Sequence, residues 1–147
     1  MKKSIIVIFS LTCICFLIGC SFPFGNGGTI DEVSEHLELY LDGAMVLSEW
    51  DTHGGFHGDG EAFAKILCKD SFEKSLNSRW RALPLTGEAY QYFYEWGGVF
   101  EHPETGGKVI PEVENGYWYF KSTGQMNWIF ALYDCNSDIL YFYKFDA

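Results

Sequence analysis

Residues Ile5 to Ile18 form an almost unbroken apolar run behind Lys2 and Lys3. At about 14 residues the run falls short of the ~20 that a membrane-crossing helix needs, so it reads as a removable signal sequence. Beyond it the pattern becomes amphipathic. Thr29-Ile30-Asp31-Glu32 has the form of a capping box, and Ile30, Val33, Leu37 and Leu41, with Tyr40, follow at helical spacing. A helix is predicted there, with a stop at Asp42-Gly43 and a solvated face of Asp31, Glu35, His36 and Glu38. Ala44 to Trp50 and Glu61 to Lys69 read as an antiparallel hairpin with a wide glycine-rich loop. Four glycines between Gly54 and Gly60 call for positive φ or close backbone approach.

A second helix is predicted from Asp70, with Phe72, Leu76 and Trp80 on one face and Pro84 as its end. Thr86 to Trp96 mixes signals: Tyr90, Tyr92, Tyr94 and Trp96 alternate as in a strand, while Thr86 with Glu88 resembles a helix start, and a short helix is the reading adopted. Val99 to Asn115 is loop-like, with Pro103, Gly106-Gly107 and Pro111. The surest strands come last: Tyr117 to Lys121, Asn127 to Cys135 and Ile139 to Phe145 are aromatic-rich runs separated by short turns. Helices first, a sheet after and no βαβ alternation predict an α+β domain, with helices packed on one face of an antiparallel sheet that ends in a C-terminal β-meander.

Leu17-Ile18-Gly19-Cys20 follows the apolar run and resembles the lipobox of bacterial lipoproteins. The resemblance covers residues 1–20 and implies cleavage before Cys20, with lipid on its thiol and new amino group. It further implies a signal peptide at 1–19 and a lipidated Cys20; the turn formers of Ser21 to Gly28 read as a short tether, so that 20–28 joins the lipid to a single domain over 29–147. Localisation would be on the extracytoplasmic face of a bacterial cell membrane, held by the lipid.

Removal of residues 1–19 leaves 128 residues, enough for one core. It also removes Lys2 and Lys3, leaving eight basic against twenty acidic side chains, a formal charge of −12. Nucleic acid is excluded as a partner, because its binders need a basic face. Anionic lipid would repel such a domain, so attachment has to come from the acyl chains. Cys68 and Cys135 both fall in predicted strands, and export permits a disulfide between them; free buried thiols are the plainer reading.

Candidate chemistry concentrates between Glu49 and Gly60. Asp51, His53, His57 and Asp59 place imidazole and carboxylate groups within nine residues, a set suited to a divalent ion such as zinc, manganese, nickel or iron. Gly54 and Gly55 occupy positions that a helical zinc-protease motif would need, and no closely spaced cysteines suggest a structural zinc. The plainer reading is a turn in which Asp51 and Asp59 cap amides and the histidines brace the loop. No catalytic set assembles from sequence alone. The leading expectation is therefore a binding or interaction module that presents Asp51, His53, Phe56, His57 and Asp59, with nearby aromatics, to a protein or glycan partner. The alternative is a metal-assisted hydrolase built on Asp51, His53, His57 and Asp59. Tyr117 to Phe120 and Tyr141 to Tyr143 put aromatics on both sides of their strands, so one face must be core; the other is a sugar platform unless helices or crossings cover it.

Overall fold

The computed structural model describes residues 26–53, 59–95, 109–124 and 127–147. The predicted signal segment, Cys20, Phe56 and His57 lie outside them. Six strands form one antiparallel sheet: β1 (Met45–Asp51), β2 (Gly60–Leu67), β3 (Arg81–Ala82), β4 (Gly116–Ser122), β5 (Trp128–Asp134) and β6 (Ile139–Asp146). Their order across the sheet is β1-β2-β6-β5-β4-β3. The last three long strands are the predicted meander. The β1–β2 hairpin joins it through β2 and β6, paired in register from Gly60 opposite Asp146 to Leu67 opposite Ile139. The domain is thus α+β, with two short α-helices.

Helix α1 (Asn26–Leu37) lies on one face of the sheet. Val33 and Leu37 pack there with Ala64, Ile66, Tyr119, Ile129, Ala131, Tyr133, Leu140 and Phe142. The helix ends earlier than the apolar spacing predicts. Glu38 takes a left-handed conformation (φ 54°), and the Leu39 amide donates back to the Ser34 carbonyl at 3.1 Å, closing a Schellman turn. Leu39 and Leu41 still reach the core, as residues of the connection to β1.

The second predicted helix is replaced by a single 3₁₀ turn, Phe72–Ser75. Local side-chain hydrogen bonds compete with helix here: the Ser75 hydroxyl donates to the Phe72 carbonyl, and Asn77 Oδ1 accepts from the Arg79 amide. Leu76 is already extended. Phe72 and Trp80 remain buried on the α1 face, so their spacing reflects a shared core and not a shared helix.

Helix α2 (Gly87–Tyr90) runs into one π turn, Gln91–Glu95. Ala89, Tyr92 and Phe93 pack on the opposite face of the sheet, with Leu85, Ile110, Trp118, Trp128, Phe130 and Tyr143. Cover is thus divided: α1 and the 3₁₀ turn on one face, α2 with residues 109–113 on the other. Trp118, Tyr119, Tyr133, Tyr141, Phe142 and Tyr143 are all buried, so these six rings belong to the core on both faces of the meander, while Tyr117 and Phe120 are half-buried.

Cys68 and Cys135 are free thiols, the plainer of the two readings, and not a disulfide. Leu67 and Asp134, the residues before them, pair with the same Ile139 from opposite sides of β6. Two strand spacings, ~10 Å, therefore separate the cysteines, beyond the ~7 Å that a disulfide spans.

Candidate functional site

The β1–β2 hairpin closes through Thr52, whose amide donates to the Glu61 carbonyl at 2.8 Å while its hydroxyl accepts from the Glu61 amide at 2.8 Å. Gly60 lies so close to the other strand that a Cβ there would sit 2.8 Å from His53 Cα. Close backbone approach, one of the two demands read from the loop glycines, is met at this position.

On the α1 face β2 carries only small side chains near this end. Gly60, Ala62 and Ala64 form a row between Asp51 and Glu49 of β1 and Asp146, Lys144 and Phe142 of β6. The row leaves a trough of about 590 Å³ beneath the first turns of α1. Ala62, Ala64 and Phe142 make its floor, Thr29, Glu32 and Val33 the helix wall, and Glu49 and Asp51 the outer wall. His53 closes one end. The helix wall is tied to the outer wall by the Thr29 hydroxyl, which donates to Glu49 Oε2. His36 stacks on Phe142 at 5.9 Å and lies 3.6 Å from Glu32 Oε1, so α1 is anchored by one of its own predicted polar residues.

His53 is half-buried, with both ring nitrogens against carboxylates. Nδ1 is 2.5 Å from Asp51 Oδ1 and Nε2 is 3.2 Å from Asp146 Oδ2. Carboxylates only accept, so both contacts are hydrogen bonds together when both ring nitrogens carry protons. Asp51 Oδ1 also accepts from the His53 amide at 2.7 Å, the turn cap expected of an aspartate at this spacing. Lys144 Nζ lies 3.0 Å from the same Asp146 Oδ2 and 3.9 Å from Glu32 Oε1. The chain of polar contacts thus runs from β1 through His53 to β6 and on to α1.

Of the residues singled out from sequence, Asp51 and His53 meet in this network. Asp59 is exposed and makes no hydrogen bond or ion pair among the described residues. Asp146, Lys144, Glu49 and Thr29 were not legible as site residues. They arrive through the β2–β6 register and the docking of α1, and no local motif marks either. Among the described residues no three His, Cys, Asp or Glu side chains are placed to hold one metal ion. The carboxylate next to His53 Nε2 already holds an ammonium.

No family model, no curated protein and no solved structure matches this chain. Among the described residues no helix is long and apolar enough to cross a membrane.

Proposed function

We propose that the protein is a lipid-anchored, extracytoplasmic binding module of a bacterial membrane, and that its ligand seat is the trough between α1 and the β1–β2 hairpin. The observation that carries the reading is the row of small side chains at Gly60, Ala62 and Ala64, flanked by charge on both neighbouring strands. Space over an apolar floor with polar groups on the rim is the usual composition of a small-molecule site. Carboxylates at Glu32, Glu49 and Asp51 favour a ligand with an apolar body and a hydrogen-bond-donating or cationic head.

Hydrolysis at His53 is the weaker reading. A general base needs a ring nitrogen free to take a proton from substrate or water, and Asp146 faces Nε2 while Asp51 faces Nδ1.

The test is a thermal-shift screen of small cationic and hydrogen-bond-donating compounds against the mature chain and against Ala62→Leu, which fills the floor. Compounds that raise Tm for the parent and not for Ala62→Leu support the reading. A screen in which no compound distinguishes the two proteins refutes it.

A further inference from the structure

Among the described residues β1 ends the sheet on one side, with β2 as its sole strand neighbour. In an antiparallel ladder the residues alternate between pairing inward and turning N–H and C=O outward. The bond from the Thr52 amide to the Glu61 carbonyl fixes the phase, because Thr52 continues the β1–β2 register. Trp50 and Ser48 then pair inward, and Glu49 and Asp51 present their main-chain groups to the open edge. Among the described residues, no backbone group accepts from or donates to those outward groups.

Side chains along this edge sort by chemistry. Glu49 and Asp51 share one face, two residues apart and roughly 7 Å along the strand. At the far end lie exposed apolar groups: Met45 is 50% exposed, Leu47 44% and Leu67 36%. A register shift between Val46 and Ser48 marks a bulge between the acidic and apolar halves.

We infer that β1 accepts an added strand from a protein partner, an extended segment with Lys or Arg at alternate positions opposite Glu49 and Asp51 and apolar side chains toward Met45 and Leu47. Main-chain hydrogen bonds supply affinity in such strand addition, and alternate side chains supply selectivity. Charge complementarity selects the occupant. A second copy of this chain paired antiparallel about Glu49, Trp50 or Asp51 would set Glu49 opposite Asp51, or either residue opposite itself, and like charges directly opposed destabilise a ladder. A basic strand meets the opposite condition. The inference uses the open main-chain edge of β1 and the trough reading uses the floor at Ala62 and Ala64, while the carboxylates of Glu49 and Asp51 border both.

The test uses two synthetic peptides, one alternating Lys and Val and one alternating Glu and Val, with amide hydrogen exchange followed residue by residue on the mature chain. The Lys-Val peptide is expected to slow exchange at Glu49 and Asp51 at least about tenfold, with affinity falling as salt rises. Glu49→Lys with Asp51→Lys should exchange the preference, binding the acidic peptide and losing the basic one. Hydrogen exchange reads strand addition at the Glu49 and Asp51 amides directly, whereas the thermal-shift screen reads the trough, so failure of this inference and failure of the trough reading are distinct outcomes. Absence of slowing at Glu49 and Asp51 with the basic peptide at millimolar concentration overturns it. Self-association of the chain that protects the same amides without peptide overturns it equally.

Discussion

Cys68 illustrates how burial sets side-chain chemistry in this domain. Burial pushes its thiol up from 9.0 to about 12; the Asp138 charge acts the same way, and a hydrogen bond from the Leu140 backbone opposes them. Tyr133 and Tyr143 are raised too, chiefly by burial and then by the carboxylates of Asp138 and Glu61 to which their hydroxyls donate. In each case the folded state favours the protonated form. Between pH 9 and 12 the unfolded chain releases protons that the folded chain keeps, so stability is complete below that window and declines as pH rises through it. Urea denaturation midpoints are therefore expected to fall from pH 8 to pH 11, and to fall less in Cys68→Ala, measured against its own midpoint at pH 8. A midpoint flat across that range in the parent chain would contradict the assignment.

At the scale of elements, the termination of α1 shows where sequence patterns carry the fold and where they stop. Glu38 occupies the left-handed position that glycine usually takes after a helix, at a backbone cost of roughly 1 kcal/mol for a residue with a Cβ. Its carboxylate pairs with Arg79 at the surface, where both side chains are half exposed and the pair contributes little. Glu38→Gly is thus expected to leave the domain at least as stable, raising the urea midpoint by an amount equivalent to up to about 1 kcal/mol. A clear loss of stability would mean that the Arg79 contact, and not the backbone, dominates at this position. Apolar and aromatic-rich runs bounded by turn residues located β1, β2, β4, β5 and β6 to within about two residues, because strands covered on both faces carry apolar side chains on both sides. Phe72, Leu76 and Trp80 misled for the converse reason. Apolar spacing records which side chains are buried, and a 3₁₀ turn followed by extended chain buries Phe72 and Trp80 as well as a helix would. The two-residue strand β3 carries too few positions to show any period. For the site, Asp51 and His53 were legible because they lie two positions apart; Asp146, which is 93 positions from His53, was not.

For the whole molecule, acidity and the proposed anchor bear on each other. A formal charge of −10 on the full chain, or −12 without the signal segment, gives no electrostatic attraction to an anionic bilayer. In the proposed reading, membrane residence then comes from acyl chains on Cys20. Helix α1 begins at Asn26, so the backbone between anchor and domain spans at most about 20 Å. Gly28 and Thr29, on the wall of the trough, belong to the first turn of that helix. The proposed anchor therefore keeps the trough within a short reach of the headgroups, which suits a ligand or partner met at the membrane surface. Two acyl chains hold a protein stably where one does not. Cys20→Ala is accordingly expected to move the chain from the membrane fraction to the soluble fraction, with loss of the lipid mass increment at the amino terminus. The unacylated chain should also fail to bind anionic vesicles at low and at physiological salt alike, since screening removes repulsion without creating attraction. Retention of Cys20→Ala in the membrane fraction, or an unmodified Cys20 on the parent chain, would remove the anchor and with it the reason to place the trough near a bilayer.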